Sequence, residues 1–429
     1  MLKKIFFKIK QLIPGDMIWI FGNAAVSQLL GFLSSAVVVR FLDKTSYGLY
    51  VAAYNKYSYF ATFLGLGFAV TILQLCSGTA PQERKNAVFR FAVKFGTFFN
   101  VIIMFLMLSL GFVMNRQGKG PYLMMMCAYP FFIYLFSCYR NIMRSNFYNN
   151  GYAIMCMSNA FFVCAGNIIL TRFFGVVGFI IATYIAYPLS TLIGIKLLQK
   201  KGFFASLRDK CDILTGKDKL NLIKYSAVCA STTFVTIVLG LLDITCLEIV
   251  TNNPVLLSEY KIGLAIPAAM QTVTDCLSYY YHPLLIKIFS GERNIFKSTV
   301  KKAAIMYSAI AFVMSVGLFA FAPLIIRIVY GTGFMDAVPI FRILCLHLFV
   351  SGGLHKLMNI TIMSMQNVNV SLIFSSLSVV LNFVLDIVMI TAFSSEGAAW
   401  ATCIVSVFIT ILEAVYVVRK LIHIETETV

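Results

Sequence analysis

Gly178-Phe-Ile-Ile-Ala-Thr183, near the middle of the chain, recurs near its end as Gly397-Ala-Ala-Trp-Ala-Thr402. Each hexapeptide lies in an apolar run and follows an Asn-x-x-Leu unit, which begins at Asn167 in the first copy and at Asn382 in the second. The shift of 215 residues between the two asparagines also aligns residues 140–167 with residues 355–382 without a gap, and the hexapeptides are 219 residues apart. Small residues and asparagines also recur in membrane helices for packing, but the shared order favours a duplication of half the chain.

The composition is typical of a protein that is embedded in a lipid bilayer. Of the 429 residues, 60% are hydrophobic and 12% are charged, whereas charged residues make up about 25% of a typical soluble chain. At about 20 apolar residues per span, this length accommodates roughly ten to fourteen transmembrane helices and no large soluble domain. The 11 cysteines lie mostly in apolar runs without metal-site spacing, which indicates packing residues.

Twelve apolar runs are long enough to cross a membrane, six in each half. They lie at about 17–39, 47–74, 89–113, 122–142, 153–173, 176–198, 222–249, 256–284, 300–327, 337–363, 368–392 and 395–418. Because six crossings return the chain to its starting side, the two halves form a parallel repeat. The sequence predicts an all-α membrane protein with an N-terminal six-helix lobe (1–215) and a C-terminal one (216–429).

Basic residues are distributed unevenly among the loops that join these runs. Most of the 35 Lys and Arg residues lie in one alternating set of loops, which includes both chain ends and the basic segment 199–221. The other set contains only Arg40, Lys44, Arg116, Lys119, Arg172 and Arg327. Since Lys and Arg are retained on the cytoplasmic side during insertion, both termini are predicted to be cytoplasmic. Segment 199–221 then links the two lobes.

Further basic side chains lie at membrane depth, where a lipid-facing cation near a helix centre costs roughly 2.5–3.5 kcal/mol. Lys56 and Lys356 lie far from the ends of their runs, so they most need an aqueous cavity. For those within about two turns of an end, the alternative is snorkelling of the side chain to the headgroups. The candidates for binding an anionic diphosphate are Arg40, Lys56, Arg90, Lys94, Arg140, Arg144, Lys224, Lys261, Arg342 and Lys356.

Tyrosines and acidic residues supply two further groups of candidates. Tyr54, Tyr57 and Tyr59 flank Lys56 in sequence, and Tyr279 and Tyr280 form a second cluster. The rings and hydroxyl groups of these tyrosines suit contacts with sugars. For the second cluster, the alternative is an aromatic belt at the membrane interface. Three carboxylates at membrane depth are candidates for carrying a coupling proton or sodium ion, with pairing to basic residues as the alternative. They are Asp243, Asp386 and Asp275.

The segment Val37-Val-Val-Arg-Phe-Leu-Asp-Lys-Thr-Ser-Tyr-Gly-Leu-Tyr50 resembles the start of the second helix in bacterial polysaccharide and O-antigen flippases. The later Asn382 and Gly397-x-x-x-Ala-Thr402 unit is similar to the same family, which belongs to the multidrug, oligosaccharidyl-lipid and polysaccharide exporter superfamily. The resemblance implies two six-helix lobes around a central cationic cavity. It also implies that the substrate is an undecaprenyl-diphosphate-linked oligosaccharide, flipped across the bacterial inner membrane by a monomer.

The resemblance further implies a polysaccharide polymerase and glycosyltransferases as partners. Lipid II flippases of the superfamily carry an arginine in the first span, which Gly31-Phe-Leu-Ser34 lacks. A multidrug or cation antiporter has the same twelve-helix plan but should favour buried carboxylates over buried cations. An enzyme needs acid–base groups at an accessible surface, and the short loops offer none. No cofactor, metal or nucleic acid is predicted, because no Walker motif or metal-site spacing occurs.

Overall fold

A computed structural model describes residues 15–76, 81–117, 120–203, 214–291, 293–365 and 367–427, and the regular structure within these ranges is helical. The first 14 residues, the part of the predicted linker that contains Arg208 and Lys210, and the side chains of Tyr279 and Tyr280 lie outside the described residues. Contacts between Cα atoms divide the chain into two compact units, Met1–Ile237 (unit 1) and Val238–Val429 (unit 2). The lobe boundary after residue 215 stays a prediction.

The longer helices follow the predicted apolar runs. They are α1 (Gly15–Phe41), α2 (Lys44–Ala61), α3 (Phe68–Cys76), α4 (Gln82–Val113), α5 (Gly120–Met125), α6 (Tyr129–Ser145), α7 (Asn149–Lys200), α8 (Gly216–Thr251), α9 (Pro254–Gly291), α10 (Arg293–Ala320), α11 (Ala322–Val329), α12 (Val338–Val350), α13 (Lys356–Ser364) and α14 (Val368–Glu427). In unit 1, α1 and α6 pack against α7, and in unit 2, α9 and α14 pack against α12.

Six stretches of the described chain are long and apolar enough to cross a membrane, and two of these are long enough to cross it twice. The six are Lys44–Cys76, Gln82–Val113, Asn149–Lys200, Ile295–Ala320, Thr332–Ser364 and Asn369–Ile422. Asn149–Lys200 folds back on itself, because a Cβ added at Gly166 would lie 3.0 Å from Ala182, whereas 16 residues of straight helix extend about 24 Å.

The two long helices turn at the same kind of backbone kink. Gly175 in α7 has φ 56° and ψ −137°, and Ser394 in α14 has φ 52° and ψ −129°. Three residues later come Gly178 and Gly397, where an added Cβ would collide with the carbonyl groups of Leu170 and Met389, each eight residues earlier in the chain. The turns separate the predicted runs that end and begin near residues 173 and 176, and near 392 and 395.

The segment predicted as one apolar run, 47–74, is a broken helix. A 3-10 segment, Leu64–Gly67, separates α2 from α3, and Gly65, Leu66 and Gly67 all have positive φ. The Gly65 N–H donates to Asn100 Oδ1 at 2.8 Å, and a Cβ at Gly65 would collide with the Tyr134 ring. The break therefore follows from close packing that only glycine at residue 65 permits.

A π-helical segment, Ser351–His355, joins α12 to α13 in unit 2. A π-helical turn inserts extra backbone into a helix and is frequent at functional sites. At its end, two adjacent residues contact different helices: His355 Nδ1 lies 2.8 Å from Glu413 Oε2 of α14, and Lys356 Nζ donates to Asp275 of α9. These contacts tie the π-segment region to both neighbouring helices.

Candidate functional site

Two carboxylates share a hydrogen-bond donor in the interior of unit 2. Asn382 Nδ2 donates to Asp243 Oδ1 at 2.8 Å and to Asp386 Oδ2 at 2.9 Å. Thr402 Oγ1 donates to Asp243 Oδ2 at 2.8 Å, and the Tyr260 hydroxyl donates to the same oxygen. Asp386 is fully buried, and its Oδ1 accepts no hydrogen bond from the described residues. We call Asp243, Asn382, Asp386 and Thr402 the paired-aspartate site.

The charge of the paired-aspartate site needs compensation. Two carboxylates bonded to one amide nitrogen repel each other strongly in an apolar interior, and isolated buried charges are costly. A bound proton or small monovalent cation lowers both the repulsion between the two carboxylates and the free-energy cost of burying their charge. Carboxylate, amide and hydroxyl oxygens are also the ligands that hard cations prefer. Within the described residues, no group of three or more His, Cys, Asp and Glu side chains offers a larger metal site.

Unit 1 contains a neutral counterpart of this arrangement. Asn167 Nδ2 donates to Ser34 Oγ of α1 at 2.7 Å, and Thr171 follows Asn167 by four residues, as Asp386 follows Asn382. Ser34, Asn167 and Thr171 are all buried. Thr171 of unit 1 thus stands where unit 2 has Asp386, and the bridging asparagine donates to a hydroxyl in unit 1 and to two carboxylates in unit 2.

Tyrosines form a continuous series of ring contacts in unit 1, here called the tyrosine track. On α2 the rings of Tyr47, Tyr50, Tyr54 and Tyr57 are spaced 6.3, 5.7 and 5.5 Å apart in sequence order. Tyr57 then packs edge-on against Tyr129 of α6 at 5.4 Å. Tyr54 keeps 39% of its surface accessible, whereas Tyr57 and Tyr129 are buried. The track therefore offers rings and hydroxyls along one side of α2.

The tyrosine track continues toward an arginine at the far end of α6. Tyr187 of α7 lies within electrostatic range of Tyr54, Tyr57 and Arg140, and its ring packs edge-on against Phe136 at 5.2 Å. The Arg140 guanidinium is 5.8 Å from the centre of the Phe136 ring. Arg140 is half-buried, whereas Arg144, one turn later, is exposed. Of this predicted pair, Arg140 is the residue whose guanidinium packs near the Phe136 ring, and both arginines lie within electrostatic range of Tyr152.

Lys56 and Tyr54 lie on different sides of α2. At 100° per residue, Lys56 points about 160° away from Tyr54, whereas Tyr59 lies about 60° from Lys56 on the same face. The Tyr59 ring is 6.3 Å from the Phe234 ring. Lys56 is half-buried. The structure thus groups Tyr54 and Tyr57 but separates them from Lys56 and Tyr59.

Arg90 and Lys94, spaced by one helical turn on α4, line the same hollow of about 590 Å³. Lys219 of α8 supplies a third cation, and Phe91, Phe95 and Phe98 form an apolar wall. We call this cavity the amphipathic hollow. The sequence predicted the Arg90 and Lys94 pair but gave no signal that Lys219 lies beside it.

Comparison with known proteins identifies the family. Residues 15–285 match the model of the family described as polysaccharide biosynthesis protein. The chain belongs to this family. None of the curated proteins compared with the chain matches it significantly.

Solved transporter structures share the fold. An inward-facing multidrug resistance MATE family transporter of the MOP superfamily aligns with a TM-score of 0.70 at 15% identity, covering 94% of this chain and 96% of that one. The lipid II flippase MurJ in an inward closed conformation aligns with a TM-score of 0.73 at 14% identity, covering 95% and 90%. A MOP superfamily transporter from Pyrococcus furiosus aligns at 0.60, with 15% identity and 94% of each chain covered.

At these identities the structural matches establish the fold alone. They match this chain to twelve-helix membrane transporters over nearly its whole length. The predicted all-α membrane fold is thereby confirmed, and the family model places the chain among the polysaccharide biosynthesis proteins. The substrate and the roles of individual residues stay predictions.

The remaining candidates are scattered over both units. In unit 2, Lys356 and Asp275, predicted separately for phosphate and ion binding, form an ion pair with each other. Lys261 is half-buried, and the Arg342 guanidinium lies 5.3 Å from the centre of the Phe319 ring. In unit 1, Arg40 and Lys224 are exposed. The Lys356 and Asp275 pairing matches the alternative of structural pairing, because each charge compensates the other.

Proposed function

We propose that this protein flips an undecaprenyl-diphosphate-linked oligosaccharide from the cytoplasmic to the outer leaflet of the bacterial inner membrane, for surface polysaccharide synthesis. The family supports a role in polysaccharide biosynthesis. The observation that carries the proposal is the tyrosine track that leads to Arg140 in unit 1. Tyrosine rings offer flat apolar faces and hydroxyl groups, which suit sugars of varied composition.

Arg140 is the proposed ligand of the diphosphate within this path. A guanidinium binds phosphate oxygens through two parallel hydrogen bonds, and it keeps its charge in apolar surroundings. The oligosaccharide then lies along the tyrosines, while the lipid tail remains in the bilayer. The substrate is accepted from one side and released on the other by alternating access, with both termini in the cytoplasm.

The paired-aspartate site is the proposed site of ion coupling. Binding of one proton or sodium ion at Asp243 and Asp386 compensates the shared negative charge. A ligand shifts a conformational equilibrium only through different affinities for the two states. Coupling therefore requires that the outward-open and inward-open states bind this cation with different strength.

Export of polysaccharide in living cells tests the proposal. The chain is expressed in a bacterial strain that lacks its own saccharide flippase and makes the matching lipid-linked repeat unit. Loss of the Arg140 contact to phosphate removes a charge-assisted hydrogen bond worth about 1.5–3 kcal/mol, so Arg140→Gln should lower export at least about tenfold. Tyr54→Ala should lower it less, because neighbouring rings remain. Arg419→Gln, an exposed change near the end of α14, is the matched control.

The variants also separate this function from that of a multidrug antiporter. Full export with Arg140→Gln, at an unchanged amount of protein in the membrane, would contradict the proposed diphosphate role. Efflux of cationic drugs by the wild-type protein without any polysaccharide export would favour the antiporter instead.

A further inference from the structure

The amphipathic hollow combines three cations with an apolar wall. Its cationic lining consists of Arg90, Lys94 and Lys219, and none of the described residues that line it is a carboxylate. Its volume of about 590 Å³ exceeds what a phosphate or diphosphate group needs, so room remains for part of a hydrocarbon chain. A ligand for such a cavity must therefore be both anionic and apolar.

The pattern of α4 explains how both properties occur on one helix face. Arg90 and Lys94 are spaced by four residues, as are Phe91 and Phe95, so two stripes run side by side along the helix. Phe98 extends the apolar stripe by a further turn and is 65% exposed. The apolar stripe thus extends further along α4 than the cationic one. By the predicted orientation, the cations lie near the cytoplasmic headgroups and Phe98 lies deeper in the bilayer.

Lys219 is held beside this face by a helix cap. Thr215 and Asp218 form a reciprocal cap at the start of α8, in which Thr215 Oγ1 donates to Asp218 Oδ2 at 2.7 Å and the Asp218 N–H donates to Thr215 Oγ1 at 3.2 Å. The Thr215 hydroxyl lowers the pKa of the Asp218 carboxyl, with smaller contributions from the Thr215 N–H and Arg84. Asp218 lines a neighbouring hollow with Arg84, whose Nη2 lies 3.9 Å from Asp218 Oδ1.

We propose that the amphipathic hollow binds the phosphate group of an anionic lipid and is the loading site at which the lipid-linked substrate docks from the cytoplasmic leaflet. The assignment to the substrate rests on the proposed function; the binding of a phosphate-bearing lipid does not. Three cations match a diphosphate diester, which carries two negative charges. The phenylalanine wall packs against the first isoprenoid units and distinguishes a lipid from a soluble phosphate.

Binding measurements on the purified full-length protein test this site. The probes are undecaprenyl diphosphate, cardiolipin, phosphatidylcholine and inorganic pyrophosphate, each titrated against protein in detergent and followed by native mass spectrometry. We expect undecaprenyl diphosphate to bind at least tenfold more tightly than phosphatidylcholine or pyrophosphate. The double variant R90Q/K94Q and the variant Lys219→Gln should each lose at least tenfold in affinity for it. Lys94→Arg keeps the charge and should retain binding.

Lys217→Gln is the matched control, because Lys217 is exposed and lies two residues before Lys219 on the same helix. The thermal unfolding midpoint of each variant verifies that it is folded. Unchanged affinity in folded R90Q/K94Q, or equal binding of pyrophosphate, would overturn the lipid site. Preference for cardiolipin over undecaprenyl diphosphate would overturn the loading role.

The outcome for this site is separable from that for the proposed function. If the hollow binds undecaprenyl diphosphate but the protein exports no polysaccharide, the lipid-binding site stands, whereas the proposed function and the loading role that rests on it fail. If R90Q/K94Q binds the lipid normally while Arg140→Gln abolishes export, the proposed function stands and the loading site fails.

Discussion

The two units differ in the residues that surround the bridging asparagine. Asn167 bonds to Ser34 in unit 1, where Asn382 bonds to Asp243 in unit 2, and Thr171 takes the place of Asp386. Hydroxyls satisfy the amide without adding charge, whereas two carboxylates create a site that a cation stabilises. The asparagine contact therefore occurs in both units, and the two carboxylates place the proposed cation site in unit 2.

Stabilisation by a cation tests this interpretation at the residue scale. A ligand at 100 times its dissociation constant stabilises the folded state by about 2.7 kcal/mol, so sodium chloride, compared with choline chloride, or a lower pH should raise the unfolding midpoint of the purified protein. Asp386→Asn should abolish this response, because it removes one of the two charges that the cation compensates. Thr171→Val, at the equivalent position of unit 1, should leave the response intact. A full response in Asp386→Asn would rule out the paired-aspartate site.

Sequence patterns predicted some of the site residues but not their partners. Asp243 and Asp386 stand out as carboxylates at membrane depth, but the sequence does not reveal that Asn382 bridges them. Lys356 was predicted to bind phosphate for the same reason, and the structure pairs it with Asp275. A single sequence shows which charged residues lie within apolar runs. The side chains with which they pair depend on which helix faces meet in the fold.

At the scale of elements, the two helical hairpins use one turn geometry with different residues. The backbone of Gly175 and that of Ser394 both have φ above 50° with ψ near −130°. Glycine adopts this conformation readily, whereas a residue with a Cβ is strained there. The hairpin of α14 therefore has the same turn geometry, although Ser394 stands where glycine is favoured.

Exchange of the two turn residues measures this strain. Gly175→Ser should lower the free energy of unfolding by about 1 kcal/mol, since such backbone strain costs roughly 1–3 kcal/mol. The space around Gly175 admits a Cβ, with Leu42 Cδ2 at 3.8 Å, so packing adds little. Ser394→Gly should raise the free energy by a smaller amount, because glycine also increases the entropy of the unfolded chain. Unfolding midpoints that move in the opposite directions would contradict the shared turn geometry.

Hydropathy predicts which segments cross the membrane but not how each crossing is interrupted. The gaps between predicted runs coincide with the turns at Gly175 and Ser394, because polar or small residues interrupt the apolar pattern there. The 3-10 break at Gly65 and the π-segment Ser351–His355 lie within predicted runs. Both depend on contacts with other helices, such as the Asn100 side chain at Gly65, which no local pattern encodes.

At the scale of the whole molecule, the duplicated units differ in charge chemistry. Unit 1 carries the tyrosine track, Arg140 and the amphipathic hollow, whereas unit 2 carries the paired-aspartate site. Under the proposed function, the anionic substrate binds in unit 1 and the coupling cation binds in unit 2. Composition and loop charges predicted the membrane topology, but they did not predict this division between the units.

Flipping in proteoliposomes tests the central claim most directly. Purified protein is reconstituted with an undecaprenyl-diphosphate-linked oligosaccharide, and a membrane-impermeant lectin reports the fraction of sugar that reaches the opposite leaflet. The wild-type protein should move the lipid-linked sugar across the bilayer, and Arg140→Gln should slow this at least about tenfold, as expected for loss of a charge-assisted contact to phosphate. Equal rates in protein-free and wild-type vesicles, or equal rates in wild type and Arg140→Gln, would contradict the account.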